Sequence, residues 1–178
     1  MDINRLKRGL SRADLAICIS KKTAQHLAQL IPDLPVEIVP NSVDVEARDP
    51  RINLRRRPEL DSDSTHLLVV GSEDPRKAIE FVLDVIGDLD PKVRQNIILH
   101  KVGAESNSSE ESRLREKAEQ LRIRLKWHGK VDEEKLIALE QHVDALLFPS
   151  AAEGFGLPVV EAMASGCPVL VNDLGAQN

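Results

Sequence analysis

The chain has 178 residues, is 42% hydrophobic and 30% charged, and carries a net charge of −5, an ordinary balance for a soluble globular fold. With the two charge signs well mixed, one tryptophan, three phenylalanines and no tyrosine, it lacks the basic footprint and the stacking platforms of a nucleic-acid binder. The core has to be built from Val, Ile, Leu and Ala, which suits buried parallel strands.

The chain opens on Met1-Asp2-Ile3-Asn4 and a charged segment rather than an apolar leader. No apolar run approaches the roughly 20 residues that cross a bilayer, so a cytoplasmic setting is expected. Asp14 to Ile19 reads as a strand, and Ser20 is placed to cap a helix from Lys21 to Leu30. Val36 to Val39 reads as a second short strand, stopped by Pro40-Asn41. From Ser42 to Asp63 no periodicity survives, and the stretch reads as a connection between two units. It contains Arg51 and Arg55-Arg56-Arg57, which fit either a solvated linker or peripheral contact with an anionic membrane.

A second unit follows. His66 to Val70 is a strand ending at Gly71, and Asp74-Pro75 starts a helix whose buried face is Ile79, Val82, Leu83 and Ile86. Asn96 to Val102 is a strand, Ser106 to Ser109 a polar loop, and Glu110 to Leu121 a charged, exposed helix. Ile123 to Trp127 is a strand, Asp132 caps a helix reaching about His142, and Asp144 to Phe148 is a strand. The loop Pro149 to Gly156 leads into a helix from Leu157 to Ser165, ended by Gly166, and Pro168 to Val171 is the last strand. Regular alternation of strands and helices predicts an α/β fold, a Rossmann-like parallel sheet with helices on both faces. Cys18 and Cys167 stand alone in apolar strands and read as reduced core residues, not a disulfide or metal pair.

In open parallel sheets ligands bind beyond the carboxyl ends of the strands, and the informative residues cluster there. Arg76 and Lys77 follow Gly71 and fall in the expected first helical turn, where cations oppose the helix dipole unless an anion intervenes. A bound phosphate explains them; two solvated cations is the plain alternative. The second cluster runs Glu153-Gly154-Phe155-Gly156-Leu157-Pro158-Val159-Val160-Glu161. Its glycines permit close backbone approach to a ligand, and free N–H groups at the helix start would face an anion. Glu153 and Glu161 are acceptors suited to sugar hydroxyls and a ribose diol; the plain alternatives are an exposed loop acid and a dipole-compensating glutamate. Paired carboxylates also serve glycoside hydrolases, but sharing a loop and helix with phosphate-type donors fits transfer from an activated sugar better.

These residues resemble the retaining glycosyltransferases of family 4, which have the GT-B fold. Glu153 to Glu161 is similar to that family's Glu-x7-Glu signature. Val39-Pro40-Asn41-Ser42-Val43-Asp44 resembles the approach to its interdomain hinge, and Leu68 to Gly71 with Arg76-Lys77 its first donor-domain strand and phosphate loop. Trp127 to Val131 and Asp144 to Ser150 fall in the corresponding order. The resemblance implies that residues 1–44 are the tail of an acceptor domain, 45–63 a linker, and 64–178 a nucleotide-sugar-binding domain that stops before such a domain closes.

It also implies roles. Arg76 and Lys77 would hold the donor diphosphate, and backbone at Lys130 and Val131 would meet the base. Glu153, as the catalytic-site acid, with Gly154, Phe155, Gly156 and Leu157, would hold the transferred sugar and distal phosphate; Glu161 would bind the ribose. No cofactor or metal is implied, because cations and helix ends stabilise the leaving diphosphate. Where the family often has arginine after the strand glycine, this chain has Ser72, and the job passes to Arg76. None of His26, His66, His100, His128 or His142 matches the family's catalytic histidine, and each is expected to be structural or on the surface. The expected function is donor binding for transfer to a glycan, lipid or small-molecule acceptor, with this chain inactive alone. The alternatives are a non-catalytic binding or assembly module and a GT-B sugar-nucleotide epimerase.

Overall fold

The computed structural model describes residues 3–104 and 108–173. Two parallel sheets are present among them. The first is a pair, β1 (Ala16–Cys18) with β2 (Val36–Ile38), joined by helix α2 (Lys21–Leu30) and preceded by α1 (Ile3–Leu10). Ser20 caps α2, its hydroxyl accepting from the Thr23 amide at 3.0 Å. A four-residue helix, α3 (Val45–Arg48), follows.

The second sheet has five parallel strands. β3 (Thr65–Val70), β4 (Ile97–Val102), β5 (Arg124–Gly129), β6 (Ala145–Phe148) and β7 (Val169–Val171) lie in the spatial order β5-β4-β3-β6-β7. The helices are α4 (Ile79–Gly87), α5 (Pro91–Arg94), α6 (Ser108–Gln120), α7 (Glu133–Glu140) and α8 (Leu157–Ala164). The chain therefore winds one way from β3 through β4 to β5, then returns to place β6 on the other side of β3. That reversal opens a crevice between the loops after β3 and β6, where doubly wound sheets bind ligands.

Two apolar cores, one per face, hold the sheet. Val69, Leu83, Ile86, Leu99 and Leu114 build one beneath α4 and α6. Leu68, Leu139, Leu146, Phe148 and Ala162 build the other beneath α7 and α8. β4 is buried along its whole length, as a central strand covered on both faces must be. Cys18 and Cys167 are buried free thiols, and burial pushes the Cys167 thiol up to about 11.

Strand and helix positions agree with the sequence pattern to within a few residues, with four corrections. Asp74-Pro75 does not begin the long helix. It begins a 3-10 turn, Pro75–Lys77, closed by Ala78 in the left-handed region (φ 51°), and α4 starts afresh at Ile79. Arg76 and Lys77 therefore precede the helix instead of occupying its first turn. The connection at 42–63 is not featureless, because Asp44 accepts from the Ala47 amide and nucleates α3. The helix expected to be exposed, α6, buries Leu114 and Ala118. Helices α1 and α5 have no counterpart in the periodicity reading; Asp90 caps α5 and Pro91 starts it. The polar loop expected at Ser106 to Ser109 lies partly outside the described residues, and Ser108 already belongs to α6.

Candidate functional site

The loops after β3 and β6 are built to meet. The Ala151 amide donates to the Arg76 carbonyl at 2.8 Å, a direct backbone link across the crevice. Asn172, just past β7, donates from Nδ2 to the carbonyls of Pro149 and Ser150, both at 2.8 Å, and pins the second loop from the far side. The first loop is anchored by a fully buried ion pair between Glu73 and Lys101 of β4, whose ammonium also lies 4.5 Å from the Trp127 ring centre.

Glycine makes this packing possible. Gly71 has φ +148°, and a Cβ there would stand 3.2 Å from Cδ and Cε of Lys77, so the missing side chain leaves room for the lysine stem. At Gly103, φ is +147° and a Cβ would fall 2.0 Å from the Gly71 carbonyl oxygen. The two strand ends thus approach at a distance that no side chain permits.

Lys77 reaches across the crevice to Glu153, with Nζ 2.7 Å from Oε1. Arg76 Nη1 donates to the same oxygen at 3.1 Å and to the Ala152 carbonyl at 3.2 Å. Lys77 and Glu153 are mostly covered, with side-chain exposures of 12% and 11%, so little water screens the pair. Lys77 also lies 5.0 Å from the centre of the Phe148 ring. The two cations are thus answered by a carboxylate of the facing loop, a partner that chain order alone does not reveal.

The rest of the signature is arranged around this contact. Gly156 caps α8 with φ 86° and ψ 44°, and Pro158 sits in the first turn. The Val159 amide is taken by the Gly156 carbonyl at 2.9 Å. Among the described residues no backbone carbonyl takes the N–H of Phe155, Gly156 or Leu157, as at an open helix start. Gly154 abuts the first unit: Thr23 Oγ1 donates to its carbonyl at 3.3 Å, and a Cβ there would meet Ile19 Cδ1 at 3.2 Å. Lys130 and Val131 lie in the turn after β5; Lys130 is exposed and Val131 packs on the core under α7 and α8.

Glu161 is separate from the Lys77–Glu153 cluster and has a partner of its own. Its Oε1 lies 3.5 Å from Arg48 Nη2. Arg48 is buried, and donates to Glu140 at 2.6 Å and to the exposed Glu133 at 3.3 Å. Glu140 also accepts from the Ser165 hydroxyl at 2.8 Å, while its Oε1 has no partner. Burial pushes the Glu140 carboxyl up to about 7, against the pull of Ser165 and Arg48 and aided by the nearby Glu161. Gln141 fastens the same connecting segment, donating to the carbonyls of Arg48 (2.7 Å) and Asn53 (3.1 Å) and accepting from the Arg55 amide (2.7 Å). Sequence reasoning missed Arg48, Glu140 and Gln141 because they sit in an aperiodic connection and on a core-facing helix side.

It also missed a relation among the histidines. His66, His100 and His128 form a chain across β3, β4 and β5, with ring nitrogens 2.8 Å and 2.9 Å apart. His66 Nε2 faces the Asp61 carbonyl at 2.8 Å. A carbonyl only accepts, so His66 donates there, His100 Nε2 donates to His66, and His128 donates to His100. Burial, then the neighbouring His128, hold His100 down to about 3, which keeps it neutral. His142 Nδ1 donates to the Ala138 carbonyl at 2.9 Å. These four therefore have structural partners, as expected.

Residues 50–177 match the family model described as glycosyl transferases group 1. The D-inositol 3-phosphate glycosyltransferase of Geodermatophilus obscurus is 33% identical over 167 residues, covering 86% of this chain and 37% of that protein. The phosphatidyl-myo-inositol mannosyltransferase of Mycobacterium leprae is 31% identical over 142 residues, covering 78% and 35%. Among solved structures, the sucrose-phosphate synthase of Thermosynechococcus elongatus superposes with a TM-score of 0.82 at 26% identity, over 97% of this chain and 44% of that one. WaaG, a glycosyltransferase of lipopolysaccharide biosynthesis, superposes with a TM-score of 0.77 at 21% identity, over 90% and 44%. The chain thus spans well under half the length of these relatives. With its Rossmann-like sheet and its two glutamates at one loop-to-helix junction, the chain belongs to the glycosyl transferases of group 1, in the GT-B fold.

Proposed function

We propose that the crevice between the loops after β3 and β6 binds a nucleoside-diphosphate sugar, and that the full-length enzyme transfers the sugar with retention of anomeric configuration. The observation that carries this reading is the convergence of Arg76, Lys77 and Glu153 beside the open start of α8. An arriving diphosphate takes the two cations from Glu153, and the freed carboxylate turns to the sugar hydroxyls. The amides of Phe155 to Leu157, with Gly154 and Gly156 keeping the loop close, receive the distal phosphate. Glu161 takes the ribose diol, and backbone at Lys130 and Val131 lies along the base. Charge developing on the departing diphosphate is met by Arg76 and Lys77, so the reading calls on no metal or cofactor.

The acceptor is a glycan, lipid or small molecule. Because the chain spans 37% of one relative and 35% of another, we propose that it binds donor without turning it over by itself. Titration calorimetry with UDP-, GDP- and ADP-sugars tests the site. Binding that is absent, or that survives Lys77→Ala and Glu161→Ala unchanged, sinks the assignment.

Peripheral membrane contact is a second, separable proposal. Arg51, Arg56 and Arg57 are exposed, and so are Ile52 and Leu54 beside them, a pairing of charge and apolar surface suited to anionic lipid. Sedimentation with phosphatidylserine vesicles that is abolished by salt and by changing the three consecutive arginines to Ser supports it; no sedimentation ends it.

A further inference from the structure

We infer that Arg48, in the segment connecting the two sheets, is a positioning residue that holds Glu161 for the nucleotide's ribose, so that the connection between the units is itself part of the donor site. The inference rests on the reading of Glu161 as the ribose acceptor.

Three observations carry it. First, Arg48 is 3% exposed, and a buried guanidinium has to be satisfied by fixed acceptors. Its fork spends Nη1 on Glu140 and Nη2 on Glu133 and Glu161. Second, the Arg48 guanidinium lies 3.5 Å from Oε1 of Glu161, an ion-pair contact, and a carboxylate has a second oxygen to offer a diol. A glutamate one turn into a helix has several rotamers in reach, and the contact from the protein side selects among them. Third, the clamp is itself held. Glu140 on α7 is anchored by Ser165, which follows α8, and Gln141 ties the Arg48 carbonyl to α7. The network joins α3, α7 and α8, and Glu161, with a quarter of its side chain exposed, is its carboxylate on α8.

A purely structural clamp would stabilise the fold without affecting which sugar the nucleotide carries. The discriminating measurement is therefore a ratio. The 178-residue chain is titrated by calorimetry with UDP, GDP and ADP and with their 2′,3′-dideoxy forms. The double variant Arg48→Met/Glu140→Leu is then measured alongside, because replacing both members of a buried ion pair by apolar residues preserves folding better than removing one. The wild-type chain is expected to prefer the ribose form by about tenfold or more, the range of a charge-assisted hydrogen bond, and the double variant to lose most of that preference. If the wild type discriminates and the double variant does so equally, Arg48 is only structural and the inference falls while the ribose reading stands. If the wild type does not discriminate, the Glu161 reading itself fails and takes the inference with it. Should the double variant not fold, Arg48→Lys, which keeps the charge but loses the planar fork, is measured in its place and judged by the same two outcomes.

Discussion

Lys77 Nζ and Glu153 Oε1 are 2.7 Å apart although 76 residues separate them in the chain. The contact joins the loop after β3 to the loop after β6, and it sets up a competition. In the proposed site a diphosphate and Glu153 both want the same ammonium. Lys77→Met is expected to lower affinity for a nucleotide sugar at least tenfold, about 1.4 kcal/mol or more. Glu153→Gln is expected to leave affinity for the free nucleoside diphosphate unchanged or higher, while abolishing the extra affinity contributed by the sugar. Calorimetry with both ligands on both variants checks this, and equal losses for the two ligands in Glu153→Gln would contradict it.

Gly103→Ala tests the close approach of the strand ends. An added Cβ would lie 2.0 Å from the Gly71 carbonyl oxygen, with φ at +147°. Neither strand can withdraw, since both are central and paired in the five-stranded sheet. A loss of about 3 kcal/mol or more is expected from steric and backbone strain together. Urea denaturation monitored by circular dichroism measures it. Gly129→Ala, at φ +66° with nothing within 4 Å of a Cβ, is the comparison for a positive φ without a clash and is expected to cost about 1 kcal/mol.

Ion pairs of similar length should differ in consequence when their burial differs. Lys101 and Glu73 are fully buried, whereas Glu80, bound to Arg113 at 2.7 Å and Lys117 at 2.9 Å, is 42% exposed. Lys101→Met removes the ammonium paired with a buried carboxylate and is expected to cost about 3 kcal/mol. Glu80→Gln is expected to cost less than about 1 kcal/mol, and less still in high salt. The comparison is a pair of urea midpoints at low and high ionic strength.

The pH dependence of stability has two opposed contributions. His100 is held from its ordinary 6.5 down to about 3 by burial, so the unfolded chain takes up a proton that the folded chain refuses. Stability is lost as pH falls below about 6.5, with a slope approaching about 1.4 kcal/mol per pH unit from this group. Glu140 is raised from 4.5 to about 7, so the folded chain keeps a proton that the unfolded chain releases. Its contribution is full below about 4.5 and lost as pH rises through about 7. His100→Gln should flatten the acid side of the profile and Glu140→Gln the neutral-to-alkaline side, read from urea midpoints between about pH 5 and pH 8.

The amino-acid pattern alone determined most of the secondary structure and marked the candidate loop-to-helix junction. Short aliphatic runs bounded by breakers, such as Leu67 to Val70 before Gly71 and Ile97 to Leu99, read as buried strands, and the glycine-flanked signature between Glu153 and Glu161 marks one loop and one helix start. These are local properties, set by side chains within a few residues of each other. Tertiary structure decided what no local pattern encodes. The strand order places β6 beside β3 and so brings Arg76 and Lys77 to Glu153. It lines up three histidines from three strands, and it lays an aperiodic connection against α7 and α8 so that Arg48 reaches Glu161. Each of these contacts spans tens of residues, and its partner is chosen by how the sheet is wound and which surface needs covering. That is why the two glutamates and the cations Arg76 and Lys77 were legible from the start, while the pairing of those cations with Glu153, and the arginine that holds Glu161, became distinct only in the folded chain.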